Sequence, residues 1–254
     1  METRSKSPGG GGVFRPTLAA ELDQPDSKRE LNVEIFTRIA REYDRICKLL
    51  SFGRDLKWKQ EMVQQLPGRE SPRCIDLAAG TGDLSFFLGE RYPDGEVVGI
   101  DLTEKMIEVA DGRNQLDHVR FEIGDMAALE IEDGSADIVT GGYALRNAPV
   151  LVDAIREVRR IMKPDGVAAF LDFSKPKNKI GQFLNIASLK FWASLWGLVL
   201  HRKPWVYGYI ADSLAKYPDR QELESIFRAE GFELVERKLH FFGVMEKIVL
   251  RKRS

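Results

Sequence analysis

Cysteine and histidine are scarce in this chain of 254 residues. Cys47 and Cys74 are too few for a disulfide framework and lack the paired spacing of a metal site, while His118, His201 and His240 stand singly. No metal centre is expected, and the thiols read as the reduced thiols of a cytoplasmic protein. Neither sign of charge is in excess: 38 Lys and Arg face 39 Asp and Glu, a formal net charge of -1. That balance excludes the general basic field of a nucleic-acid coat, so no nucleic-acid partner is expected. Long hydrophobic runs are missing too. The nearest, Phe183 to Leu200, is interrupted by Asn185 and Lys190 and falls short of the roughly 18 apolar residues a spanning helix requires. The first residues lack the apolar core of a signal peptide. Glu2, Glu21, Asp23 and Asp26 do not suit a transit peptide.

What is present supports a sizeable core, with 43% hydrophobic and 30% charged residues. Residues 1–30 read as a disordered tail, because Gly9 to Gly12 form an unbroken run, Pro8, Pro16 and Pro25 punctuate it and apolar side chains are sparse. Residues 31–254 read as a single domain. A helical pattern starts at Val33, carried by Phe36, Ile39, Ala40, Tyr43, Ile46 and Leu50. Another helix fits Leu56 to Leu66. The period then changes. Short strands at Cys74–Ala78, Glu96–Ile100, Val119–Ile123, Asp137–Thr140 and Val167–Phe173 alternate with helices of about ten residues. Two further strand-like stretches follow, Glu233–Leu239 and Val244–Leu250. This order predicts an α/β fold: a doubly wound, mainly parallel seven-stranded sheet with an antiparallel C-terminal edge. A helical cap of about 179–215 interrupts it.

The chemistry concentrates at the first strand. Asp76 lies in it, and the turn Ala79-Gly80-Thr81-Gly82-Asp83 closes it, bringing backbone close to a ligand at the carboxyl edge of the sheet. Asp101 ends the next strand, 21 residues past Gly80, where a carboxylate accepts ribose hydroxyls. A dinucleotide and S-adenosylmethionine both use such a site. The dinucleotide fingerprint calls for a third small residue where Ser85 stands, and negative charge at Asp76 and Asp83 would repel a pyrophosphate. The same charge attracts a sulfonium and an amino group, which favours S-adenosylmethionine. Asp125 follows the third strand and is placed to take the adenine amino group, with Met126 on its face. Leu102 and Met106 are placed to wall the ribose and adenine.

These residues bring a family into view. The chain resembles the C-methyltransferases of ubiquinone and menaquinone biosynthesis, a branch of the class I S-adenosylmethionine-dependent enzymes, from about Phe36 to Phe232. The likeness rests on Tyr43-Asp44, Ser51-Phe52-Gly53, Trp58-Lys59, the glycine turn, Ala144-Leu145-Arg146-Asn147, Leu171-Asp172-Phe173-Ser174-Lys175-Pro176 and Tyr217-Pro218-Asp219. The resemblance implies cofactor contacts at Thr81, Asp101, Asp125, Met126 and Gly142, and places Arg146 where the substrate ring would lie. The chain departs from the family pattern at Cys47, where asparagine is usual, at Ala79, where glycine is usual, and in Phe242–Lys247.

Methyl transfer to a phenol or quinol carbon needs a hydroxyl deprotonated and its oxyanion balanced. Arg146 suits the second task, since guanidinium stays charged. As a base it would need a water, and Tyr43, Asp44 and Asp172 are the candidates to orient one. Residues 173–211 contain no acid, yet hold six Lys and Arg and three of the four Trp. That mixture fits an apolar tail of the acceptor and contact with an anionic bilayer surface. The expectation is therefore a quinol C-methyltransferase, peripheral at the inner face of a membrane, alone, as a homodimer or in a biosynthetic complex. Rival readings are a methyltransferase for another small aromatic metabolite, a non-catalytic cofactor-binding subunit and, least favoured, a nicotinamide oxidoreductase.

Overall fold

The computed structural model of the chain describes residues 22–201 and 208–253. Its strands are β1 (Arg73–Leu77), β2 (Glu96–Asp101), β3 (Val119–Ile123), β4 (Ala136–Gly142), β5 (Met162–Phe173), β6 (Phe232–His240) and β7 (Met245–Lys252). They form one sheet in the order β3-β2-β1-β4-β5-β7-β6. Strands β1 to β5 pair in parallel, and β7 runs antiparallel between β5 and β6. This is the sheet that the alternating pattern predicts. Its central strands are buried on both faces and divide their side chains accordingly. Ile75, Leu77, Val98, Ile100 and Val139 point to one core, and Cys74, Val97, Ile138 and Ala169 to the other.

The helices are α1 (Pro25–Ile39), α2 (Tyr43–Leu50), α3 (Asp55–Gln64), α4 (Asp83–Arg91), α5 (Glu104–Arg113), α6 (Leu151–Ile161), α7 (Lys179–His201), α8 (Gly208–Lys216) and α9 (Arg220–Ala229). Two details differ from expectation. Helix α1 begins at Pro25, ahead of the boundary at residue 30. Pro25 is its first residue, where a fixed φ and a missing N–H suit a helix start, so a proline read as a breaker is an initiator. The strand expected at Val167–Phe173 begins earlier, at Met162, and there the register jumps from Ala136–Met162 to Ile138–Val167. The expected disorder over residues 1–21 falls outside the described residues. So do Arg202, Lys203, Trp205 and Tyr207 of the cap and the side chains of Lys190, Trp192 and Trp196.

Strand order reverses between β1 and β4, which opens a crevice at their carboxyl ends. Asp76 fixes the floor of that crevice. Its carboxylate is fully buried and accepts hydrogen bonds from Ser85 of α4 at 2.7 Å and Thr140 of β4 at 2.8 Å. Ser85, an imperfect third position in a dinucleotide fingerprint, is thus the residue that binds α4 to β1. Burial pushes the Asp76 carboxyl up to about 6, against the pull of the two hydroxyls.

The folded protein therefore holds this proton more tightly than the unfolded chain does. The stability it confers is full below the ordinary Asp value near 3.9 and is lost as pH rises through 6. An Asp76→Asn variant is uncharged throughout and lacks that loss. Between about pH 4 and 7 its stability should gain on the wild type by about 2–3 kcal/mol, measured by urea unfolding at each pH. Parallel curves would show that Asp76 does not carry the effect.

Candidate active site

The turn after β1 is built on left-handed backbone: φ is +50° at Ala78, +57° at Gly80 and +92° at Gly82. Only glycine suits position 82, where a Cβ would also fall within 2.9 Å of the Phe86 and Phe121 rings. Asp101 ties this turn to β2. Its Oδ2 accepts from the Gly80 N–H at 2.9 Å and its Oδ1 from the Thr103 N–H at 2.8 Å. Burial raises the Asp101 carboxyl above its usual range, with both N–H groups opposing. The Thr103 hydroxyl also reaches this carboxylate, which keeps acceptor capacity beyond these bonds.

Asp101 shares one pocket with Leu102, Met106, Asp125, Met126 and Gly142, so six of the expected cofactor residues meet in space. Gly80 lines that pocket too. Ala79, Thr81 and Asp76 line a smaller cleft beside it, and Tyr43, Ala78, Gly80 and Gly142 border both. Gly82 caps α4 and lines neither. A nucleoside carrying an amino-acid tail fits this donor set: a buried carboxylate for the ribose, an acid and a thioether at the base, and a glycine-lined cleft for the tail.

The negative charge expected at Asp83 is offset by two cations: Lys59 approaches it at 3.0 Å and Arg113 at 2.9 Å. Burial alone would raise the Asp83 carboxyl, but these two cations hold it below its usual range. Lys59 is itself buried between Asp55 at 2.8 Å and Asp83. Burial opposes its charge, and the two carboxylates more than restore it. Asp44, expected to orient a water, also has another task. It accepts from the Thr81 hydroxyl and pairs with Arg113 at 2.9 Å, outside the large apolar cavity walled by Trp58 and Phe173.

That cavity adjoins the cofactor pocket. Its volume is about 260 Å³, and its walls include Ile39, Ile46, Leu50, Trp58, Phe173 and Tyr209. Phe36, Tyr43, Tyr143 and Asn147 line both spaces and mark where they meet. Tyr143 follows β4 with φ +59°, a strained value for a side chain of this size. Its hydroxyl donates to Asp55, and the Lys59 ammonium lies 5.7 Å from its ring centre. Burial raises the Tyr43 phenol well above its ordinary value and pushes the neighbouring Cys47 thiol up to about 12, so both are neutral.

Arg146 stands in the cavity wall, 4% exposed, in a short 3-10 turn over Leu145–Asn147. Its guanidinium packs 5.2 Å from the Phe173 ring centre and 5.7 Å from that of Tyr209. One Nη donates to Ser213, while the buried Nε has no acceptor and lies 3.8 Å from Asp172. Asp172 accepts from the backbone N–H groups of Arg146 at 3.1 Å and Phe173 at 2.7 Å. It is not among the residues that line the cavity, and its carboxylate holds the Arg146 turn from behind. Burial raises its carboxyl, with Arg146 opposing.

The sequence shows the second half of α1 as a helix but not its place at the site. Asn32 and Phe36 roof the cofactor pocket, and Arg29 pairs with Asp125 at 2.7 Å. Lys28 and Asn32 hold the backbone of the Arg146 turn. No pattern in α1 signals these roles, since Lys, Arg and Asn on a helix read as a solvated face. Lys59 was visible only as part of a family segment.

This sheet, with its glycine turn and ribose-type carboxylate, defines a class I S-adenosylmethionine-dependent methyltransferase. A SAM-dependent methyltransferase of Thermotoga maritima shares the fold with a TM-score of 0.62 at 19% identity, over 87% of this chain and 99% of that one. The profile of the ubiE/COQ5 methyltransferase family matches residues 24–249, and the chain belongs to that family. The demethylmenaquinone methyltransferase of Geobacillus kaustophilus is 33% identical over 86% of this chain and 95% of its own length. That of Staphylococcus aureus is 30% identical over 83% and 88%. The cofactor is S-adenosylmethionine.

Asp101→Ala should weaken S-adenosylmethionine binding by about 1.5–3 kcal/mol, the range for hydrogen bonds to a charged group. Titration calorimetry on the folded variant measures this. Unchanged affinity would remove Asp101 from the cofactor site.

Proposed function

We propose that this methyltransferase alkylates a ring carbon of a lipophilic quinol or phenol, of the kind named for its Geobacillus and Staphylococcus relatives. The observation that carries this reading is the apolar cavity that meets the cofactor pocket at Phe36, Tyr43, Tyr143 and Asn147, with the buried Arg146 guanidinium in its wall. The bound cofactor supplies a methyl group on a sulfonium. The chain's own residues do the rest. Tyr43 and Tyr143 flank the point where the ring would face the cofactor, and aliphatic and aromatic walls exclude competing water. Arg146 supplies fixed positive charge where a ring hydroxyl becomes an oxyanion, and an oxyanion makes the ring carbon nucleophilic. Phe173 and Tyr209 hold its fork in place.

Exposed apolar side chains cluster at the rim. Phe52, which lines the cavity, is 53% exposed, and Phe242 is fully so, on a turn whose three residues Phe241, Phe242 and Gly243 are all left-handed. Across the mouth, where Leu189 lines the cavity, α7 exposes Ile180, Phe183, Leu184 and Phe191. Exposed Lys177 and Lys179 lie at its start, in the acid-free stretch. These features support a rim resting on an anionic bilayer, from which a long-tailed acceptor enters the cavity. No helix among the described residues is long and apolar enough to cross a membrane.

Arg146→Ala should lower turnover with a quinol acceptor by about 10²-fold or more, with cofactor affinity unchanged. Mass spectrometry of the methylated product gives the rate, and turnover that survives would reduce Arg146 to a packing residue. Phe183→Ser with Phe242→Ser should reduce flotation with anionic vesicles and slow a long-tailed acceptor more than a tailless one. Equal losses on both acceptors would argue against a lipid-facing rim.

A further inference from the structure

Methylation of a phenol or quinol carbon releases one proton for every methyl transferred. Among the described residues the acceptor cavity offers no carboxylate, imidazole or amine to take it. Arg146 keeps its own proton throughout. Behind Arg146, however, lies a polar groove of about 460 Å³ bounded by Lys28, Ser213, Lys216 and Tyr217. Arg146 is alone among the described residues in lining both the groove and the acceptor cavity. A proton leaving the ring for the groove would pass this side chain.

Lys28 of α1 sits in that groove in an unusual setting for a lysine. Its Nζ donates to two backbone carbonyls, those of Arg146 at 3.1 Å and Ala148 at 2.5 Å. A neutral amine has two N–H donors and one lone pair, so the two carbonyls satisfy its donors and leave the lone pair available. An ammonium would bring a third N–H and a charge beside two other cations, Arg146 and Lys216. The nearby acids are committed elsewhere, Asp172 beneath Arg146 and Asp23 on Lys216. Burial, and then the Arg146 charge, lower Lys28 to about 8, with Asp172 opposing. Lys28 therefore exchanges a proton near neutrality, as a relay requires.

We propose that Lys28 is the outlet for the reaction's proton, receiving it through water in the groove that Arg146 separates from the acceptor cavity. The proposal rests on the quinol-methylating function given above. The ring hydroxyl gives its proton by way of water to the Lys28 amine, leaving an oxyanion beside Arg146. The ortho carbon then bonds to the methyl carbon, and the methyl–sulfur bond breaks with its electron pair staying on sulfur. The hydrogen on that ring carbon moves through water to the oxygen and restores the aromatic ring. Lys28 releases its proton to solvent through the open groove, so one proton leaves for each methyl gained.

The test uses the full-length protein with Lys28→Ala and Lys28→Arg. Arg29 and Asn32 still fasten α1 in both variants, and circular dichroism checks the fold. Arginine can hold the two carbonyls but cannot accept a proton. Both variants should lose about 10²-fold in kcat, with KM for S-adenosylmethionine unchanged. Wild-type kcat should rise with pH through the Lys28 ionisation, and both variants should lack that rise. Added ethylamine should restore Lys28→Ala in proportion to its free-base concentration. Full turnover by Lys28→Arg, or no response of Lys28→Ala to ethylamine, would overturn the outlet. A nitrogen NMR titration of Lys28 in substrate-free protein gives an arm independent of the acceptor, and an ordinary lysine value would also overturn it. Wild-type protein that methylates no quinol would overturn the functional reading itself, and the outlet with it.

Discussion

The site hangs on one buried ammonium. Lys59 lies out of water between Asp55 and Asp83, and its buried charge is tolerable only because both carboxylates face it. Asp55 begins α3 and Asp83 begins α4, so the ion binds the start of one helix to the start of another. Arg113 extends the network from α5 to Asp83, Asp44 and the Thr81 carbonyl. Through Asp55 the same cluster holds the Tyr143 hydroxyl, and so fixes the strained residue where the two cavities meet. Replacing Lys59 by an apolar residue would leave the buried Asp55 carboxylate without a cation and Asp83 with Arg113 alone, a loss larger than any single hydrogen bond. The glycine turn is thus held from one side by ions and from the other by the Asp101 carboxylate.

Polarity is strictly divided around the crevice. Carboxylates and the Lys59 ammonium line the cofactor side, while the apolar cavity carries Arg146 as its one formal charge among the described residues. A guanidinium survives there because Phe173 and Tyr209 cover its faces and Asp172 stands behind it. Its buried Nε has no hydrogen-bond acceptor, and the Asp172 carboxylate 3.8 Å away balances the charge.

The fold was legible because strand patterns and the glycine turn are local signals. Cys74–Leu77 reads as a buried strand from its own residues, and Gly80 and Gly82 announce backbone that other residues resist. Asp101 was legible because its distance from the turn follows from the length of one βαβ unit. The roles of Asp44 and Asp172 were not, since both depend on partners remote in sequence: Arg113 lies 69 residues from Asp44, and Arg146 lies 26 residues before Asp172. The charge reading at the turn named the right cofactor by a weak route, because the cations that offset Asp83 come from α3 and α5. Pro25 shows the opposite fault, a local signal with two meanings that only neighbouring structure separates.

Strand β7 follows β6 in the chain but lies between β5 and β6 in the sheet. On the ribosome, β1 to β5 can pair as they emerge, yet β5 then presents an open edge, and β6 has nothing to join. Phe170 and Leu171 also pair with β4, but Asp172 and Phe173 pair in register only with Glu246 and Met245. The stretch that carries Asp172, and with it the seat of Arg146, is therefore completed by β7, the last strand of this sheet in chain order. Until it arrives, the nascent chain holds a cofactor turn beside an unfinished acceptor wall, with a long apolar strand edge for chaperones to cover.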